Sequence, residues 1–366
     1  MKKTGFKMVF VLLLIFFALP AFGEILVMKD MAGREVQVPR DPKKIVGIGP
    51  GALRLLIYLQ ALDKVAGVEK MEKESPQGRP YWLAWPELSN LPDCGPGGPA
   101  GINKKPDLEA IMAVNPQVVF ATALDAALAD EAQKASGIPF VLLSYGEPGG
   151  TNDVLSESLK IAGTVLNREK RANDLLFYFD LLGKDLSNRT KAIPVKQRPT
   201  VYAGGIGYKG TFGIESTEKN YLPFSRVNAN NLSNHLETQS GNHIFLDKED
   251  LLEMNPDVIF IDGGGLALVT EDFFKKPEYY FSFEAFSKKR VYTLLPFNDY
   301  GANICTALVD AYAVGKILYP EVFKDVDPEK KADEIYTFMV GKPVYGAMKK
   351  NYGAIGDLPS FLKPVE

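Results

Sequence analysis

Cysteine and histidine are both scarce, with two of each in 366 residues. So few cysteines exclude a disulfide framework, and two histidines cannot supply the cluster of imidazoles that commonly holds a bare transition-metal ion. Packing or surface roles are expected for His235 and His243. Cys94, in a Pro/Gly-rich loop, and Cys305, near the start of a helix in the other half, are expected to be independent free thiols, because a bridge would tie the two halves together. An excess of positive charge is also missing. The 42 basic and 45 acidic residues give a net charge of −3, which leaves no footprint for nucleic acid. There is no Gly-x-Ser-x-Gly elbow, His-Glu-x-x-His, phosphate loop or Cys-x-x-Cys, and no nucleophile with a neighbouring base, so a binding protein is expected rather than an enzyme.

What is present is ordinary for a globular protein: 46% hydrophobic and 24% charged residues. The longest uncharged apolar run, Met8 to Leu19, is too short to span a bilayer, which takes about 20 residues. Preceded by Lys2 and Lys3 and followed by Pro20-Ala21-Phe22-Gly23, it reads as a signal peptide over residues 1–23, with export to the periplasm. No cysteine near the cleavage point could carry a lipid, which favours a free protein.

An internal echo organises the remainder. Asp107-Leu108-Glu109-Ala110-Ile111 leads to Asn115-Pro116-Gln117-Val118-Val119-Phe120, and Asp250-Leu251-Leu252-Glu253-Met254 leads to Asn255-Pro256-Asp257-Val258-Ile259-Phe260. Each reads as a short helix stopped at Asn-Pro and followed by a buried strand. The spacing of about 140 residues exceeds any solenoid repeat and suits two copies of one α/β domain. Further strands are expected at 44–49, 64–68, 140–143, 200–203 and 290–295. Short apolar strands alternating with helices predict an α/β fold of two lobes, with largely parallel sheets flanked by helices. The lobes are placed at 24–150 and 196–366, the second including a C-terminal helix. Residues 151–195 form a helical linker, in which Ala172, Leu175, Leu176, Phe179, Leu182 and Leu186 make one apolar stripe. As a single helix, residues 168–187 would extend roughly 30 Å. Pattern alone allows this helix to join the lobes as a stiff spacer or to lie on the surface of one; its place midway between the repeats favours the spacer.

Glycine-rich segments follow several strands: Gly47 to Gly51, Gly95 to Gly101, Gly204 to Gly210 and Gly263 to Gly265. Gly47-x-Gly49-x-Gly51 departs from the dinucleotide fingerprint, and no cofactor is expected. Tight turns account for some of these glycines. Ligands of open α/β sheets nonetheless sit beyond the carboxyl ends of the strands, where glycine lets backbone N–H groups approach closely. The candidate ligand contacts on or beside these loops are Arg54, Tyr81, Trp82, Tyr145, Tyr202, Tyr208, Lys209, Asn298, Tyr300 and Asn303. Aromatic faces beside cationic and amide groups suit a planar or chelated ligand, or an anion held by Arg54 and Lys209. Trp85, with Pro86 behind it, is expected in the core.

Asp30-Met31-Ala32-Gly33-Arg34-Glu35-Val36-Gln37-Val38-Pro39, Lys44-Ile45-Val46, the two Asn-Pro segments, Arg290-Val291-Tyr292 and Ile317-Leu318-Tyr319-Pro320 together resemble the class III, helical-backbone periplasmic binding proteins of ABC importers for iron chelates, haem and cobalamin. The resemblance covers nearly the whole chain after residue 23. It implies a monomeric receptor with one long helix between the lobes, limited closure, and delivery of a bound metal complex or oxyanion to a membrane permease driven by ATPases. It also implies a docking acid on each lobe. Glu215 in Gly213-Ile214-Glu215-Ser216 matches the C-lobe acid, while Asp130, with Asp125 and Glu131 as alternatives, stands for the N-lobe. A chelated metal such as a ferric siderophore, haem or corrinoid ranks first as ligand. Molybdate or tungstate ranks second, on the likeness of residues 81–91 and 318–327 to an oxyanion-binding branch.

Overall fold

The computed structural model describes residues 24–99, 101–146, 153–238 and 241–363. The expected signal peptide lies outside them. An antiparallel pair, β1 (Ile25–Lys29) and β2 (Glu35–Pro39), opens the described chain. The N-lobe sheet then follows as β3 (Ile45–Ile48), β4 (Val65–Gly67), β5 (Val118–Ala121) and β6 (Phe140–Leu142), parallel and ordered β4-β3-β5-β6. In the C-lobe, β7 (Thr200–Gly204), β9 (Asn230–Asn231), β11 (Val258–Asp262) and β12 (Val291–Leu294) form a parallel sheet ordered β12-β11-β7-β9. A small antiparallel pair, β8 (Ser216–Glu218) with β10 (His243–Phe245), stands beside it.

The two four-stranded sheets have one topology. Superposing β3 on β7 and β5 on β11 places β4 on β9 and β6 on β12, the physical form of the sequence echo. Each echoed helix, Leu108–Val114 and Lys248–Met254, ends at an asparagine with positive φ, 52° at Asn115 and 35° at Asn255. The stop is thus a left-handed turn, which asparagine tolerates better than most residues, with proline next to prevent the helix from resuming.

The helix Glu169–Thr190 lies between the two sheets in sequence and buries Ala172, Leu175, Phe179, Leu182, Leu186 and Thr190. Leu176 is only partly buried, and the opposite face exposes Phe177 and Leu181. Its apolar stripe joins one continuous core that includes Val118 and Phe120 of the N-lobe sheet and Val201 and Phe260 of the C-lobe sheet. The end of the chain crosses back as well. Helix Pro328–Val340 packs on Ala52–Tyr58 and Pro80–Ala84 of the N-lobe, and Trp85 Nε1 donates to Val340 O at 2.7 Å. Cys94 and Cys305 are free, buried in different clusters. Among the described residues no helix is long and apolar enough to cross a membrane.

Candidate functional site: the cleft between the lobes

In both sheets the strands run so that their carboxyl ends face the other lobe. Gly49 sits past β3 with φ 85°, and a Cβ there would stand 2.2 Å from Thr122 O past β5. Only glycine lets these two loops of the lip close up. On the other side Gly265 packs equally tightly, its virtual Cβ 2.3 Å from Gly205 O. At Gly301 a Cβ would lie 3.2 Å from Pro50 O, so backbone meets backbone across the lobes.

One segment of the C-lobe, Asp299 to Ala302, is gripped by N-lobe side chains. The guanidinium of Arg54, fully buried, donates to Ala302 O at 2.8 Å, Asp299 O at 2.9 Å and Tyr300 O at 3.0 Å. It lies over the rings of Tyr81 and Tyr145, 5.1 and 5.9 Å from their centroids. Burial pulls the Arg54 pKa down, but the surrounding tyrosines and Glu72 outweigh it and keep the group charged. Arg79 Nε donates to Asp299 Oδ1 at 2.9 Å while its Nη1 donates to Met71 O at 2.8 Å. Tyr300 donates its hydroxyl to Glu69 Oε2 at 2.6 Å and accepts from Gly98 N at 3.1 Å. Burial lifts the Glu69 carboxyl to about 7, against the hydrogen bonds from Tyr300 and Gly49 that favour its ionised form.

The C-lobe lip is aromatic. Tyr208 is 43% exposed and stacks on His243, ring centroids 4.3 Å apart. Lys209, with φ 54°, holds its ammonium 5.3 Å from the Tyr208 centroid. Asn298 Nδ2 donates to Gly207 O at 2.9 Å and ties this turn to the gripped segment. His243 Nε2 is 2.9 Å from Ser216 Oγ. Ser216 is fully buried and its hydroxyl donates to Ile206 O, so the pair is not an activated nucleophile.

The structure therefore brings Arg54, Tyr145 and Tyr300 into one inter-lobe cluster and places Tyr208, Lys209 and Asn298 at the open lip. Four other expected contacts are buried. Tyr202 lies within β7, as the expected strand 200–203 implies; strand alternation sends Val201 and Ala203 to the main core and Tyr202 to the opposite core, where its hydroxyl donates to Ile214 O at 2.7 Å. Asn303 is fully buried and pins the turn through Phe297 O and Asp299 O, both at 3.1 Å. Trp82 packs in the main core. Tyr81 is buried and donates to Glu72 Oε2 at 2.6 Å. Arg54 itself is committed to carbonyls, so it braces the cleft instead of offering a free anion hook.

Sequence reasoning missed Glu69, Arg79 and Asp299. Arg79 stands two residues before Tyr81, and Glu69 two residues past β4, where the carboxyl-end rule would have pointed. Asp130, exposed on the N-lobe, pairs with Arg34 at 2.7 Å. The Glu215 carboxylate folds over Gly213, whose virtual Cβ would be 2.7 Å from Oε2.

Residues 45–296 match the sequence pattern of the family described as periplasmic binding protein. The chain belongs to that family. Its members include substrate-binding components of ABC transporters. The molybdate-binding protein MolA of Haemophilus influenzae is 24% identical over 332 residues, covering 85% of this chain and 89% of that protein. The MolA structure bound to molybdate superposes with a TM-score of 0.68 at 20% identity, covering 87% and 98% of the two chains. An ABC transporter substrate-binding lipoprotein of Bacillus subtilis, YvrC, is 22% identical over 299 residues, 81% of this chain and 86% of its own. The periplasmic haem-binding protein HutB of Vibrio cholerae superposes with a TM-score of 0.55 at 16% identity, covering 76% and 99%.

Proposed function

We propose that this protein is the exported receptor of an ABC importer and that it captures a tetrahedral oxyanion of the molybdate and tungstate type. The reading rests on the glycine-rich loops at the carboxyl ends of both sheets, Gly49 and Gly51 past β3 and Gly205 and Gly207 past β7, with the exposed Lys209 beside the latter. An exposed cation on a loop whose glycines permit close backbone approach suits a small, compact anion. The similarity to MolA along most of both chains supports the same ligand class.

The second reading, a chelated metal such as a ferric siderophore, haem or corrinoid, draws support from the exposed Tyr208–His243 stack, a flat surface fit for a planar ligand. Metal analysis and the absorption spectrum of protein purified from its native cell separate the two. Colourless protein carrying molybdenum or tungsten supports the oxyanion, and a visible band supports the chelate.

Residues 1–23 act in this reading as a cleaved signal peptide. Glu215 and Asp130 are the acids that meet the permease. Residues 24–150 and 196–366 are the two lobes, joined through 151–195.

A further inference from the structure

Beneath the C-lobe half of the cleft three oxygens are buried with no hydrogen-bond partner: Oδ2 of Asp262, Oδ2 of Asp310 and the hydroxyl of Tyr221. Asp262 is 2% exposed and the other two are fully buried. Three separate elements bring them to the end of β12. Asp262 closes β11 and stands opposite Leu294. The next amide, Leu295 N, donates to Asp310 Oδ1 at 3.0 Å. The Tyr221 ring lies 5.5 Å from that of Phe297. Gly264 N donates to Asp262 Oδ1 at 2.8 Å. Each carboxyl thus has one oxygen tied to backbone and one left open.

Among the described residues no lysine, arginine or histidine side chain pairs with these three oxygens. The charged neighbours are acidic: Glu218 and Asp299 act on Asp262, Asp262 acts on Asp310, and Asp262, Asp310 and Glu218 act on Tyr221. Leaving one buried polar atom unpaired costs about 1–3 kcal/mol. The three stand on adjoining elements at the end of β12 and suit a shared partner that is small, positively charged and content with oxygen. Among the described residues no three His, Cys, Asp or Glu side chains converge as a divalent cage would require. Two carboxylates and a phenol, without imidazole or thiolate, also fail to suit a transition metal.

We propose that Asp262, Asp310 and Tyr221 bind a single alkali cation, sodium or potassium, under the floor of the cleft. The ion stiffens Gly263 to Gly265, because Asp262 holds the Gly264 amide, and its binding is independent of what the cleft carries.

Thermal unfolding of the purified protein in sodium, potassium and choline chloride of equal ionic strength tests this. It is run at about pH 9, where protons compete least for the carboxylates. The expected result is a Tm that rises and saturates with sodium or potassium and stays flat in choline. Asp310→Asn should abolish the rise, and Tyr221→Phe should raise the half-saturating concentration roughly tenfold, about 1.4 kcal/mol. Should Asp310→Asn fail to fold, sodium-23 line broadening on the unaltered protein, reversed by excess potassium, gives the same answer. Superimposable melts in all three salts, with no sodium-23 broadening, would overturn the proposal and assign the cluster to protons and water.

Discussion

The hydroxyl of Tyr300, on the loop after β12, donates to Oε2 of Glu69, just past β4 of the other lobe, at 2.6 Å. Tyr300 takes a positive φ of 48° to do so, a conformation that costs a tyrosine roughly 1–2 kcal/mol and that the Arg54 and Gly98 contacts hold in place. The two lobes are consequently braced at one edge by polar contacts, and along the helix Glu169–Thr190 by a shared core.

Stability should fall as pH rises from about 5 to about 8. Burial raises Glu69 and Glu218 to about 7. A carboxyl whose folded pKa is raised binds more protons folded than unfolded. Its contribution is therefore complete below the unfolded value and lost as pH passes through the folded one. Tm measured across this range in one buffer series should decline, and Glu69→Gln should flatten part of that decline. A Tm that rises steadily from pH 5 to 8 would refute the assignment of burial as the dominant cause.

Arg54→Ala should destabilise the protein by about 3 kcal/mol or more, because three carbonyls of Asp299, Tyr300 and Ala302 lose a charged donor in a buried place. Urea unfolding reads this directly. Arg54→Lys should recover only part of the loss, since one ammonium cannot reproduce the planar fork. A variant as stable as the parent would show that the brace contributes nothing.

Gly49→Ala should injure the N-lobe lip, with its Cβ driven to 2.2 Å from Thr122 O at a φ favouring glycine. A loss of about 1–3 kcal/mol in stability is expected, with weaker ligand binding. Gly33→Ala shares a positive φ but meets nothing within 4 Å, so it controls for backbone strain alone.

Lys209→Ala should weaken molybdate roughly tenfold in calorimetry while leaving Tm unchanged, as expected for an exposed cation that meets the ligand and not the core. Tyr202→Phe should do the reverse, losing about 1 kcal/mol of stability from its bond to Ile214 O with affinity intact.

Glu215→Ala and Asp130→Ala should each retain ligand affinity and impair uptake in cells that carry the cognate permease. Loss of affinity in either would move that acid from the docking surface to the cleft.

Much of the fold was legible in the sequence because it rests on local signals. The Asn115-Pro116 and Asn255-Pro256 stops, the β-branched strands behind them and the stripe from Ala172 to Leu186 each act within a few residues. The small strands β8, β9 and β10 were not legible, since their pairing partners are distant and they carry no run of apolar residues. The site was harder for the same reason. Arg54 looks like an anion hook from its neighbours, and only the fold delivers the carbonyls of Asp299, Tyr300 and Ala302 to it. Tyr202 sits in an expected strand, but only the packing of β7 shows that its side chain turns into the core away from the cleft. Glu69 lies just past β4, where the carboxyl-end rule points, but its partner Tyr300 arrives from the other lobe and only the fold supplies it.

Isothermal titration of the purified protein, freed of residues 1–23, against molybdate, tungstate, ferric chelates, haem and a corrinoid tests the central claim most directly. The account predicts saturable binding of molybdate or tungstate at one site per chain, weakened by Lys209→Ala. Saturable binding of a chelate with none of either oxyanion would contradict the ligand assignment, and binding of no compound in the series would contradict the receptor itself.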